Sequence, residues 1–402
     1  MHTGSLLLNR RFFEAALRTR RHIIRSSARS SSSQDNKHKA ALNAQTFSNG
    51  FTPMSSKTSK GDGPSIPRPS SSVLLIAPNN HVLLLQRVKQ STSFASAHVF
   101  PGGNVDTFHD GEIPGPVSPD RHVDSDTYRM AAIRETFEES GIVLARNNGF
   151  GRLIEVPEAE REEGRKLVHG RKVPFTKWLS QKGGRADIKG LVPFTRWVTP
   201  TNVPKRFTTQ MYLYFMPTFA TSPLQGHQAG SDELPPEVSI PVPTTDGGIE
   251  HTNARFLPAS VWLRLAQEGR IILFPPQFFL LHQVAQFLDN LRSPTAYSSV
   301  SRDTVPREEL ESRRKRLLQF VRGGDPPWTE KCISPNVTPT RDGSFRDDGR
   351  VALGLNWPGL ELKDSSRKGV SDQCVLVEFK REGPRRLEVV SRDEALKPSS
   401  KI

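Results

Sequence analysis

Cysteine is nearly absent from this 402-residue chain, which has only Cys332 and Cys374. Two thiols build neither a disulfide framework nor a cysteine zinc site, so a reducing compartment is the default expectation. Long apolar runs are missing as well. None approaches the ~18 residues that a membrane-spanning helix needs, and no membrane span is expected. Hydrophobic residues make up 35% of the chain, below the ~45–50% of ordinary globular domains, a count that includes glycine. Together with 32 prolines and many serines, that shortage predicts that part of the chain is loop or linker. Acidic residues are the minority charge, 42 against 56 basic ones, leaving a net charge of +14. Such a surplus suits anionic ligands without requiring nucleic acid. No RNA-binding pattern with interleaved aromatics is present, so RNA is disfavoured as a partner. The oligomeric state is not legible.

Much of the positive charge lies at the start. Residues 1–33 hold seven arginines (Arg10, Arg11, Arg18, Arg20, Arg21, Arg25 and Arg29) against Glu14, which is +6 of the total. Leu6, Leu7, Phe13 and Leu17 can share a helical face, and the Ser-rich "SSARSSSSQ" follows. An Arg- and Ser-rich, acid-poor amphipathic start is the mitochondrial transit pattern; a basic disordered tail is the alternative. The terminal Ser399-Ser400-Lys401-Ile402 is one residue away from the S-K-L signal and makes the peroxisome the competing address. Residues 34–70 read as a disordered linker.

Order is expected from residue 71. Two β-rich runs flank Pro78-Asn79-Asn80, a hairpin signal. "AHVFPGGNV" (97–105) reads as a strand ending in a glycine turn, and a segment rich in Asp, Pro, Gly and His (106–126) precedes a helix near 127–140. After a Gly/Arg-rich patch (149–187) come "GLVPFTRWVTP" and "TTQMYLYFMPTF" as strands, then "IEHTNARF" and a helix from about Pro258. "PPQFFLLHQVAQFLDNL" and residues 307–321 follow as helices. The tail from 332 offers strands at "GRVALGL" and "CVLVEFK". The pattern is an α+β layered domain at 71–295, with a charged helix and a small β-rich C-terminal extension at 296–402.

The chemistry concentrates in "AAIRETFEESGI" (131–142). Helical residues three and four apart face the same way, so Glu135, Glu138 and Glu139 crowd like charges on one side. Arg134 can neutralise one of them. A hard divalent cation held through carboxylate oxygens fits the remainder; a solvated acidic face is the alternative that spacing alone leaves open. Gly141 stops the helix. Upstream, Gly102 and Gly103 of "FPGG" let a strand turn sharply and can aim a backbone carbonyl at a metal.

These residues resemble the Nudix box, Gly-x5-Glu-x7-Arg-Glu-U-x-Glu-Glu-x-Gly-U, where U is bulky and aliphatic. The second half is matched at Arg134, Glu135, Glu138, Glu139, Gly141 and Ile142, with Thr136 at the first U position. The first half is interrupted. Counting back eight from Arg134 reaches Asp126, which places roughly seventeen inserted residues after Gly103. Asp126 is expected to replace the glutamate that braces the arginine, with Glu112 as its rival. The interrupted box, "RETFEESG" and "WVTPTNVPKRFTTQMYLYF" together look like the coenzyme A diphosphatase branch of the Nudix superfamily, over about residues 70–295.

That resemblance implies a Nudix α/β/α sandwich with a mixed sheet, an insertion inside the box and a C-terminal extension. It also implies Mg²⁺- or Mn²⁺-dependent hydrolysis of a small-molecule diphosphate, a nucleoside diphosphate linked to another moiety. Coenzyme A or acyl-CoA leads, giving 3′,5′-ADP and (acyl)phosphopantetheine. ADP-ribose, a dinucleotide or capped RNA are alternative substrates, and a non-catalytic Nudix scaffold is an alternative role. By resemblance, Glu135, Glu138, Glu139 and the Gly103 carbonyl would hold metal, while Arg134 orients Glu135. The catalytic base would be Glu138 or Glu139, or Glu250 outside the box, with His251 as a second candidate there. Lys205, Arg206 and Phe207 are expected to supply phosphate contacts and a stacking face, or else to be a basic loop. Arg87 is read as a phosphate contact or a surface arginine. "FPPQFFLL" (274–281) is read as a wall for a pantetheine or acyl chain, or as core.

Overall fold

The computed structural model describes residues 63–88, 96–147, 153–218, 243–244, 251–289 and 305–397. The expected transit segment, most of the linker, Glu250 and the C-terminal tetrapeptide lie outside the described residues.

Two strands, β1 (Arg68–Ile76) and β2 (Val82–Arg87), carry Val73-Leu74-Leu75-Ile76 and Val82-Leu83-Leu84-Leu85, all fully buried. A strand buried at every position must be covered on both faces. Alternate side chains part accordingly. Val73, Leu75, Leu83 and Leu85 enter one core, whereas Leu74, Ile76, Val82 and Leu84 enter another. Strand β1 begins at Arg68, ahead of the expected start at 71.

Strands β3 (His98–Val99) and β4 (Gly102–Asn104) precede helix α1 (Asp126–Ser140). The patch at 149–187, for which no helix was expected, holds two. Strand β5 (Ala145–Asn147) leads to α2 (Glu158–His169), α3 (Phe175–Gln181) and β6 (Gly184–Ala186). Then come β7 (Leu191–Val198), β8 (Phe207–Phe215), β9 (His251–Leu257), α4 (Ala259–Gln267), α5 (Pro275–Leu288) and α6 (Arg307–Arg322). The C-terminal part contains β10 (Cys332–Ile333), β11 (Asn336–Val337), β12 (Val351–Leu355), β13 (Val370–Lys380), β14 (Gly383–Ser391) and the short α7 (Arg392–Ala395).

The main sheet runs β10-β7-β8-β1-β2-β3, with β4 also on β1 and β9 on β2. It is mixed. Strands β1 and β8 are parallel, as are β7 and β10, while the remaining pairs are antiparallel. Helix α1 covers one face through Tyr128, Ile133 and Phe137. Helices α4, α5 and α6 cover the other through Trp262, Phe278 and Leu317. The result is a mixed α/β sandwich with further β elements. Those elements are not an appendage, because Leu353, Leu355, Val375 and Val377 enter the same core as α5, and Trp328 packs on Phe194, Phe279 and Phe320.

Candidate active site

Helix α1 ends where Gly141, at φ +72°, donates its N–H to the Phe137 carbonyl at 2.8 Å. One face of its last two turns presents Glu135, Glu138 and Glu139 around the buried Arg134. The Arg134 Nη1 donates to Glu135 Oε1 at 2.9 Å and to Glu138 Oε1 at 2.8 Å. Its Nε and Nη2 donate to the two oxygens of Asp110 at 2.9 and 2.8 Å, and Nη2 also to the Asn104 carbonyl at 2.9 Å.

The acid that braces Arg134 is therefore Asp110, and neither Asp126 nor Glu112 reaches it. Asp126 is exposed in the first turn of α1, where a negative charge suits the helix dipole. Glu112 is exposed and offers its backbone carbonyl to Thr127. The physical reason is a tight turn directly after β4. The Asp106 carbonyl accepts from the N–H groups of His109 and Asp110, and Asp110 Oδ2 accepts from the Asp106 N–H at 2.8 Å. That turn delivers Asp110 before the rest of the insertion loops out. Counting forward from Gly103 at the box spacing lands on His109, one residue short of it, whereas counting back from Arg134 misses it altogether.

Strand β4 lies directly against the acids. The Gly102 N–H donates to Glu139 Oε2 at 2.8 Å, and Gly102 has φ +156° with room for no Cβ, which would fall 2.4 Å from the Ser71 carbonyl. A Cβ on Gly103 would fall 2.5 Å from the Glu135 carboxylate. From the other side, α2 supplies two residues that sequence reasoning missed. The Arg165 Nε and Nη2 donate to the Glu138 carbonyl at 3.0 and 2.8 Å, and His169 Nδ1 lies 3.0 Å from Glu138 Oε2. Their helical spacing is regular, but no motif marks them.

The electrostatics follow. Burial pushes the Glu135 carboxyl up to about 8, with Glu138 and Asp110 adding to the rise and Arg134 opposing it. Burial would also raise Glu138, yet hydrogen bonds from His169 and Arg134 outweigh it and hold that carboxyl below its usual value. Asp110, Glu135 and Glu138 thus share Arg134 and His169, with Glu139 beside them on the Gly102 N–H, an excess of negative charge in hard oxygen donors. That donor set fits a hard divalent ion rather than a soft one. Among the described residues no group of three or more His, Cys, Asp or Glu is arranged to hold a metal ion. Glu138 is turned onto Arg134 and His169, and Glu139 onto Gly102.

A cavity of about 240 Å³ opens beside these acids. One part of its lining is Gly102, Gly103, Glu139, Arg87 and His251, the last with Nε2 3.8 Å from Glu139 Oε1. Another part is apolar and includes Trp197, Phe207, Phe274 and Pro335. Of the expected substrate contacts, Arg87 and Phe207 line this cavity. Arg206 does not; its buried guanidinium donates to the Thr199 and Ser65 carbonyls at 2.9 Å each and pairs with Glu361, tying the C-terminal part to the sheet. Lys205 is half-buried and outside the lining. The "FPPQFFLL" stripe divides: Phe274–Gln277 line the cavity, and Phe278–Leu281 are core.

Comparison with known proteins accords with this arrangement. Residues 66–217 match the NUDIX domain. A Caenorhabditis elegans protein carrying a nudix hydrolase name is 31% identical over 144 residues, 36% of this chain and 42% of that protein. The acyl-coenzyme A diphosphatase NUDT19 of Gallus gallus is 28% identical over 255 residues, 51% of this chain and 61% of that protein. Each of these matches spans less than two thirds of the relative's own length. A solved NUDIX hydrolase from Alicyclobacillus acidocaldarius aligns with a TM-score of 0.40 at 22% identity, over 55% of this chain and 91% of that one. The chain thus carries a NUDIX domain at residues 66–217.

Proposed function

From a NUDIX domain with its acidic helix intact, we propose that this chain is a divalent-metal-dependent hydrolase of a nucleoside diphosphate linked to another moiety. The observation that carries the reading is the acidic helix face on which Glu139 meets Gly102 and lines the cavity, Glu135 lies against Gly103, and Glu138 is joined to Glu135 through Arg134. Glu135, Glu138 and Glu139 would hold Mg²⁺ or Mn²⁺, with the Gly103 backbone alongside. Such an ion neutralises diphosphate oxygens and acidifies water. Arg134 and Asp110 orient the glutamates rather than touch substrate. Arg87, buried at the cavity, supplies a guanidinium suited to phosphate oxygens. Among the described residues, Glu139 and His251 are the groups lining the cavity able to take a proton from the attacking water.

For the second moiety we favour coenzyme A or acyl-CoA. The support is the apolar part of the lining and the likeness to proteins named acyl-coenzyme A diphosphatase. The test is product analysis by mass spectrometry on a panel of CoA, acyl-CoA, ADP-ribose, a dinucleoside polyphosphate and capped RNA, with and without Mg²⁺. The expected products are 3′,5′-ADP and the matching phosphopantetheine, formed only with metal. Cleavage of another panel member alone would keep the chemistry and discard CoA, and no cleavage at all would leave a ligand-binding scaffold. Delivery to mitochondria is proposed from residues 1–33; a fluorescent fusion lacking them should lose its mitochondrial signal.

A further inference from the structure

Four residues that line the cavity carry buried side-chain polar atoms with no hydrogen-bond partner among the described residues: Ser71 Oγ, Arg87 Nε, Trp197 Nε1 and Gln277 Oε1. Buried polar atoms are almost always paired, so such a concentration around one cavity marks places that a ligand fills. Arg87 and Ser71 belong with the diphosphate end, since Arg87 pairs across β2 and β9 with His251, and Ser71 pairs across β1 and β4 with Gly103. Trp197 and Gln277 belong to the other part of the lining. Trp197 is 6% exposed, packs edge-on against Phe279 and lies in register with Ile333 of β10. Two residues beyond Ile333, Pro335 brings the C-terminal extension into the lining.

An indole N–H can only donate and an amide oxygen only accept, so the ligand must offer an acceptor and a donor along an otherwise apolar wall. A sugar would leave further hydroxyls unpaired against Phe274, Pro276 and Pro335. An amide-bearing arm presents one C=O and one N–H on apolar chain. We propose that Trp197 and Gln277 form a subsite that reads an amide-bearing arm on the far side of the diphosphate, with Pro335 of the extension as part of its wall. This rests on the diphosphate reading and adds residues that set its specificity.

The experiment uses the full chain in EDTA, so that binding is read without turnover. CoA, which carries such an arm, and 3′,5′-ADP, which lacks it, are titrated calorimetrically into wild type, Trp197→Phe and Gln277→Leu. Wild type should bind CoA more tightly than 3′,5′-ADP. Each substitution should weaken CoA by roughly five- to tenfold, the loss of one hydrogen bond, and leave 3′,5′-ADP within twofold. Gln277→Leu keeps the test decisive if the smaller ring at 197 unsettles the core. Equal losses for both ligands would assign the cavity to the nucleotide and overturn the subsite, as would no loss for CoA or no preference in wild type. Arm-dependent binding without Mg²⁺-dependent cleavage of any diphosphate would keep the subsite and overturn the hydrolase reading.

Discussion

Arg134 holds three carboxylates in place, those of Asp110, Glu135 and Glu138, and Asp110 is the partner that lies far from it in sequence. Replacing Asp110 by Asn leaves a buried guanidinium short of charge. The expected cost is on the order of 3 kcal/mol in a urea melt, with a 10- to 100-fold loss of metal affinity or activity, as for other outer-sphere partners. Asp126→Asn, at an exposed first turn, should stay within about 1 kcal/mol. Equal effects of the two substitutions would mean that Asp126 does brace the arginine. At this scale the acids of α1 were legible because helical spacing fixes their common face. Asp110 was not, because an insertion of arbitrary length destroys the spacing on which counting depends. His169 and Arg165 were invisible for a different reason, since contact with Glu138 arises only when α2 folds back.

Helix α2 shows why an element can be missed. Its buried residues are Gly164, Arg165 and Val168, so no apolar stripe announces it. Gly164 is small because the Trp178 ring of α3 occupies the space a Cβ would need, at 2.3 Å. Helix α5 was readable because its apolar residues recur at helical spacing and α1 because its acids and Gly141 mark it, whereas β10 was not because two residues carry no period. Strand β4 yields the sharpest prediction for an element. Gly103→Ala places a methyl group against the Glu135 carboxylate and should lower turnover at least about tenfold through displaced acids, while Tm changes little. A loss of stability without a loss of turnover would show that the β4–α1 contact serves packing alone.

Across the whole molecule, strands β12 and β13 of the extension were legible but their docking was not, because alternation within a strand says nothing about the sheet it joins. Ending the chain at Arg322 would remove Trp328, Ile333, Leu353, Val375 and Val377 from the larger core. Such a fragment should fail to fold, as read by circular dichroism; a cooperative melt would show the extension to be separable. Acid sensitivity is a further global property. Burial pushes His122 and His98 down to about 4, so as pH falls through 6.5 the unfolded chain takes up protons first. Stability is then lost progressively between pH 6.5 and 4, by on the order of 2–3 kcal/mol for His122. His122→Gln should flatten that part of the stability curve, and an unchanged slope would place the sensitivity elsewhere.

The central claim is that the acids of α1 are gathered to hold a divalent cation. Mn²⁺ titration followed by electron paramagnetic resonance tests it most directly, on the full chain and on Glu138→Gln, which removes one charge while keeping the shape. The account predicts saturable binding to the wild-type chain that weakens at least about tenfold in the variant, with an unchanged circular dichroism spectrum. Equal Mn²⁺ affinity in the two proteins, or no saturable binding to either, would contradict it.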